Sequence, residues 1–127
     1  MTHPPRTVAV VGASRDRAKF GNKAVRAYAA EGWTVIPVNP HGGEIEELLV
    51  VPSLEAIAAP LDRITVYLPP PVTLAVLPEL AAAGAGEVWF NPGSADQSVV
   101  AAARELGLPV RSACSIVDIG RSPAEFD

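Results

Sequence analysis

Thr7-Val8-Ala9-Val10-Val11-Gly12-Ala13-Ser14 is the stretch on which the reading of the chain turns. Val8 to Val11 leave no polar position for a solvent-facing side, so residues 7–11 read as a strand buried on both faces, the kind found in parallel sheets. Gly12 stops it where the backbone must turn. A parallel strand needs crossover helices, and the sequence that follows supplies them. Residues 20–31 predict a helix with Ala24, Val25, Tyr28 and Ala29 on its apolar face, Lys23 and Arg26 off it, and Gly32 at its C-terminal cap. Residues 33–38 predict the second strand, with Pro37 placed where no ladder bond is needed and Asn39-Pro40 as the stop.

The alternation continues to the end of the chain. Residues 41–51 read as a polar loop with a short edge strand at 48–50, and Ser53 is placed to cap a short helix over 54–58. Residues 63–68 form the third strand of this reading. A helix over 72–83 follows, closed by Gly84, with Pro78 expected to kink it or delay its start. Residues 87–90 are the fourth strand, a helix runs from 94 or 95 to 106 before Gly107, and residues 109–111 open a fifth strand. Right-handed crossovers then place helices on both sides of a mainly parallel five-stranded sheet. The expected fold is a three-layer doubly wound α/β domain spanning 1–127. Ligands of such sheets bind over the carboxyl ends of the strands, beside the point where strand order reverses.

Composition narrows the function classes. The chain has 127 residues, of which 49% are hydrophobic and 19% charged, enough for one real core and unlike a disordered tail. No apolar run is long enough to span a bilayer, since Pro69-Pro70-Pro71 interrupts the best candidate, and Met1 to Arg6 have no apolar signal-peptide core. One cysteine, Cys114, and two histidines, His3 and His41, argue against an intrachain disulfide or a structural zinc site. A soluble cytoplasmic protein is expected. Proline at 13 residues, with few Asn, Gln, Met and Cys, suggests a thermophilic source.

Charge is unevenly placed. Residues 1–41 hold six bases against two acids, while the rest hold four bases against twelve acids; +4 and −8 make up the net −4. Such a protein lacks the broad positive face that coats nucleic acid, but its basic corner suits a small polyanion. Arg15, Arg17 and Lys19 sit in the loop that leads from the first strand to a helix N-terminus, where free N–H groups and the helix dipole favour phosphate. Gly12 permits the tight turn, and the Ser14 hydroxyl and N–H can both donate to an anion. The GxGxxG pattern of dinucleotide enzymes is absent, for only Gly12 and Gly21 are present. At the end of the second strand Val38 is followed by Asn39-Pro40-His41, where an NAD site would want a carboxylate. An adenosine whose ribose bears an extra phosphate fits better, which leaves coenzyme A and NADP.

Val11-Gly12-Ala13-Ser14, Val35-Ile36-Pro37-Val38-Asn39-Pro40 and Val66-Tyr67-Leu68-Pro69-Pro70-Pro71 together resemble the CoA-binding domain family, small Rossmann-like proteins similar to the N-terminal domain of the succinate–CoA ligase alpha subunit. The resemblance runs from about Arg6 to Gly120. It implies that Gly12, Ala13 and Ser14 hold the pyrophosphate and that Lys19, supported by Arg15 or Arg17, meets the 3′-phosphate of coenzyme A. It further implies that Val38, Asn39 and Pro40 border the adenine and ribose, with Leu68, Pro69 and Pro70 along the pantetheine arm. A proline wall presents no N–H to satisfy and suits an apolar, flexible arm. The ligase's phosphorylated histidine belongs to a domain this chain lacks.

Catalytic machinery is not evident. His41 reads as an exposed loop residue without a carboxylate orienter, Cys114 as a core cysteine without a nearby histidine, and Glu44, Glu46 and Glu47 as a solvated loop. The expected function is therefore non-catalytic or regulatory binding of coenzyme A or acyl-CoA, with no nucleic acid or membrane as partner. The competing readings are an NADP-binding oxidoreductase-related domain and an accessory subunit of a CoA ligase-like complex.

Overall fold

A computed structural model describes residues 5–127, so His3 lies outside the described residues. Strand β1 (Thr7–Val11) leads into helix α1 (Phe20–Ala30), and β2 (Thr34–Val38) follows. Two short strands, β3 (Glu44–Ile45) and β4 (Leu48–Leu49), form a separate antiparallel hairpin. Then come β5 (Arg63–Val66), α2 (Pro70–Ala83), β6 (Glu87–Phe90), α3 (Gln97–Glu105), β7 (Val110–Ser112) and a one-turn helix α4 (Ser115–Asp118). The main sheet has the order β2-β1-β5-β6-β7, and every pairing in it is parallel.

Alternation along the strands builds the three layers. Val8 and Val10 face Ala24, Val25 and Tyr28 of α1 and Ile116 of α4, whereas Ala9 and Val11 face Leu77 and Leu80 of α2 and Val99 and Ala103 of α3. The chain goes from β1 to β2 on one side and then returns across β1 to β5. Strand order therefore reverses between β1 and β5, and the cleft expected at such a reversal opens over Gly12 and Tyr67.

Several local expectations shift. On α1, Lys23 is buried and Ala29 exposed, the opposite of the helical-wheel reading. Lys23 is covered because the C-terminal segment folds onto α1 and pairs its ammonium with Asp127. The strand at 48–50 belongs to the hairpin and not to the main sheet. Leu54–Ala56 is a single 3-10 turn, and Ser53 makes no side-chain cap to it. Helix α2 starts at Pro70 instead of being delayed, and Pro78, on its exposed face, is carried within it. Helix α3 is capped by Asp96, whose carboxylate accepts from the Val99 N–H, so it begins later than residue 95. Pro37 lies in edge strand β2, where a missing N–H is tolerated.

At the amino ends of the strands a buried arginine joins the layers. Arg63 of β5 donates to Glu87 (2.8 Å), to Asp118 of α4 (2.9 Å) and to the Tyr28 hydroxyl (3.3 Å). Its guanidinium lies over the rings of Trp33 and Trp89, 5.2 and 4.7 Å from their centroids. Among the described residues no helix is long and apolar enough to cross a membrane, and no cluster of metal-ligating side chains is found.

Candidate nucleotide cleft

The cleft straddles the carboxyl edge of the sheet and has two lobes. The lobe on the α2 side, about 430 Å³, is walled by Ala13, Ser14, Val38, Asn39, Pro40 and the segment from Pro52 to Leu54, with Val72, Val76 and Glu79 of α2. The lobe on the α1 and α4 side, about 570 Å³, is walled by Phe20, Gly21, Pro69, Pro70, Cys114 and the loop from Asn91 to Ser94. Gly12, Lys19, Tyr67 and Leu68 line both and form the crest between them.

The crest is tight because two glycines let the chain pass close. Gly12 has φ +88°, and a Cβ there would stand 2.5 Å from the Tyr67 carbonyl oxygen. Gly21, in the first turn of α1, lies directly on the Gly12 carbonyl. The loop between them folds on itself: the Asp16 N–H donates to Ser14 Oγ (3.0 Å), the Ala18 N–H to Asp16 Oδ1 (3.0 Å) and the Lys19 N–H to the Asp16 carbonyl (3.0 Å). Among the described residues the N–H groups of Ala13, Ser14, Arg15, Phe20 and Gly21 find no protein acceptor. With Ser14 Oγ accepting from Asp16, the hydroxyl proton is left to donate elsewhere. That is a set of donors suited to an anion at the positive end of α1.

Ten of the twelve residues singled out in the sequence therefore come together: Gly12, Ala13, Ser14, Lys19, Val38, Asn39, Pro40, Leu68, Pro69 and Pro70. Arg15 and Arg17 line neither lobe. The Arg15 guanidinium donates to the Gly42 carbonyl, and Arg17 pairs with Glu46 at 3.4 Å. Lys19 has no ion-pair partner among the described residues. Glu46 is thus more than a solvated loop residue. His41 is exposed, as its sequence context suggests, and its N–H donates to Asn39 Oδ1 at 2.8 Å.

The far wall of the larger lobe was only partly legible. Asn91 is buried and donates to Thr65 Oγ1 (2.7 Å) and the Val66 carbonyl (3.0 Å), while its Oδ1 accepts from the Ser115 N–H (2.9 Å). It pins α4 to the sheet and so brings Cys114 to the cleft wall, half-buried instead of in the core. Burial pushes the Tyr67 hydroxyl well above its usual pKa, against the opposing hydrogen bond to Ser115. No histidine or carboxylate lines this lobe among the described residues. The Asn91-Pro92-Gly93-Ser94 turn after β6 is the sequence signal for this wall; nothing local in the sequence marks Cys114.

Comparison with known proteins adds to this geometry. A family model described as CoA binding domain matches residues 6–120. A conserved hypothetical protein from Pyrococcus furiosus is 34% identical with a TM-score of 0.82, the match covering 89% of this chain and 98% of that one. A Thermus thermophilus protein of solved structure is 32% identical, also with a TM-score of 0.82, over 90% of this chain and 87% of the other. The dinucleotide-forming acetyl-coenzyme A synthetase 1 of Ca. Korarchaeum cryptofilum, in complex with phosphate and ADP, is 26% identical with a TM-score of 0.72; 84% of this chain matches 25% of that one. No curated protein sequence matches the chain.

Proposed function

This chain belongs to the CoA-binding domain family, and we propose that it binds coenzyme A or an acyl-CoA as one domain over residues 1–127 and performs no chemistry of its own. The observation that carries the reading is the two-lobed cleft, whose lobes meet at Gly12 and Lys19 beside the unpaired N–H groups of the α1 start. The adenosine occupies the smaller lobe against Val38, Asn39 and Pro40. Gly12, Ala13 and Ser14 take the diphosphate. The pantetheine arm lies over Leu68, Pro69 and Pro70 in the larger lobe, its thiol toward Asn91, Ser94 and Cys114. Lys19 meets the 3′-phosphate, since Arg15 and Arg17 are engaged by Gly42 and Glu46.

Among the described residues no histidine or carboxylate lines the larger lobe, which supports binding over catalysis, because none of them places a base beside the thiol or Cys114. The likeness to a quarter of a larger acetyl-CoA synthetase favours a second reading, a module that works with a ligase-like partner. A cytoplasmic protein of a thermophile agrees with the proline-rich composition and with neighbours from Pyrococcus and Thermus.

Calorimetric titration with coenzyme A, dephospho-CoA and NADP tests the ligand. Coenzyme A is expected to bind, and loss of its 3′-phosphate to weaken binding about 10- to 100-fold, the size of one charge-assisted contact. Tighter binding of NADP than of coenzyme A would overturn the reading.

A further inference from the structure

The loop after β1 is held by two asparagines that grip consecutive carbonyls. Asn39, just past β2, donates from Nδ2 to the Ala13 carbonyl at 2.9 Å. Asn22, in the first turns of α1, donates from Nδ2 to the Ser14 carbonyl, also at 2.9 Å. Both amides have a fixed orientation. Asn22 is fully buried; its Oδ1 accepts from Arg26 Nε at 2.7 Å and its Nδ2 also reaches Glu46 Oε2 at 3.2 Å. Arginine can only donate and a carboxylate only accept, so this amide has one orientation. Asn39 is set in the same way, since its Oδ1 accepts from the His41 N–H at 2.8 Å.

In a trans peptide the N–H points opposite to the carbonyl of the same plane. With the Ala13 carbonyl turned to Asn39 and the Ser14 carbonyl to Asn22, the Ser14 N–H is turned away from Asn39 and the Arg15 N–H away from Asn22. These are two of the N–H groups that find no protein acceptor, and Ser14 lines the smaller lobe. Two adjacent donors fixed before a ligand arrives cost no reorganisation when it binds.

We infer that Asn22 and Asn39 are positioning residues for the diphosphate of the ligand: their amides fix the Ser14 peptide at the wall of the smaller lobe and the Arg15 peptide next to it, so that these two N–H groups are held ready for the anion while the Arg15 side chain turns away to Gly42. This inference rests on the coenzyme A reading. It also gives Asn39 a role other than bordering the adenine, and it accounts for the exposed Arg17–Glu46 pair, which holds the carboxylate that helps orient Asn22. This subsite would then read the diphosphate alone, while Lys19 reads the 3′ substituent.

The test is amide NMR of the protein titrated with coenzyme A, dephospho-CoA and pantetheine. The Ser14 and Arg15 amide protons are expected to move downfield with coenzyme A and with dephospho-CoA, which both carry the diphosphate, and to stay in place with pantetheine. Asn22→Ala and Asn39→Ala, at saturating coenzyme A, are expected to abolish those two shifts while shifts in the Leu68 to Ser94 region persist, and to weaken coenzyme A about 10-fold or more. A general loss of structure would instead disperse changes over the whole spectrum. The wild-type titration decides whether the two N–H groups meet the anion. If the buried Asn22→Ala fails to fold, the half-buried Asn39→Ala tests the positioning alone, with the Ser14 shift expected to be lost and a Ser14 shift that persists overturning the role of Asn39. Coenzyme A shifts elsewhere in the cleft with Ser14 and Arg15 unmoved would overturn the positioning role and leave the coenzyme A reading standing. A spectrum with no response to either nucleotide would overturn both.

Discussion

Gly21 and Gly12 touch through backbone alone: a Cβ added to Gly21 would overlap the Gly12 carbonyl oxygen and come 3.2 Å from its carbonyl carbon. The two lie nine positions apart, so the first turn of α1 is seated on the end of β1 although no GxGxxG spacing exists. The close approach that three glycines provide in dinucleotide enzymes is here made by two, with the extra residues folded into a self-bonded loop stapled by Ser14 and Asp16.

Replacing Gly21 with alanine forces α1 away from β1, because the obstacle is backbone and cannot rotate aside. The expected loss is about 2–3 kcal/mol in urea unfolding, within the range for overpacking. Coenzyme A binding should weaken in the same variant, since the N–H groups of Phe20 and Gly21 move with the helix. Wild-type stability in Gly21→Ala would contradict this packing.

Arg63 is the one buried arginine among the described residues, and two of its partners arrive from distant segments, Glu87 on β6 and Asp118 on α4. Arg63→Met takes the arginine from Asp118, leaves Glu87 only its longer pairs with Arg6 and Arg111 at 3.6 Å, and removes the cation that lies over Trp33 and Trp89. A destabilisation of about 2–4 kcal/mol is expected, near the low end for a broken buried pair because both carboxylates keep some contact with water. Urea unfolding followed by tryptophan fluorescence would measure it; a change below about 0.5 kcal/mol would show that the network is dispensable.

How far the sequence foretold this structure depends on how local each signal is. Strands β1, β2, β5 and β6 were legible because each is a short, mainly apolar run with Gly12, Asn39, Pro69 or Asn91 as its stop, and those runs do not depend on distant contacts; β7, Val110-Arg111-Ser112, has no such pattern and follows only from the alternation before it. The faces of α1 were misjudged at Lys23 and Ala29 because what covers Lys23 is Asp127, more than a hundred residues away. The start of α3 shifted to Asp96 since a carboxylate reaching the Val99 N–H outcompetes Ser94, whose hydroxyl is spent on the Asn91 carbonyl. In the cleft, glycine and proline positions were readable from backbone rules. Arg15 and Arg17 were not, because only the folded hairpin shows Gly42 and Glu46 waiting for them. The sequence places Asn22 at the end of the loop that leads into α1 but gives it no role, because its partners Ser14, Arg26 and Glu46 meet only in three dimensions.

Tyr67 and Tyr28 make stability sensitive to alkaline pH. Burial raises both hydroxyls above their ordinary pKa near 10, so the folded state keeps protons that the unfolded chain releases. That contribution is complete below pH about 10 and is lost as pH climbs toward the folded values. Thermal midpoints should therefore fall as pH rises above about 10, and Tyr67→Phe should show a shallower fall than the wild type. Parallel curves for the two proteins would mean that the Tyr67 hydroxyl ionises as freely in the fold as in the open chain.

Lys19 is the cation on the crest, lining both lobes with no ion-pair partner among the described residues. Because it holds nothing else in place, Lys19→Ala should leave the unfolding free energy within about 0.5 kcal/mol of the wild type. Its effect should appear in binding instead. The affinity for coenzyme A is expected to drop about 10-fold, the affinity for dephospho-CoA less, and the dependence of coenzyme A affinity on salt should become shallower as one screened charge contact is lost. Isothermal titration at two ionic strengths measures all three. An equal drop for both ligands would transfer the lysine from the 3′-phosphate to the diphosphate. Unchanged affinity for both would remove it from the site, leaving the anion to the backbone N–H groups and the Ser14 hydroxyl.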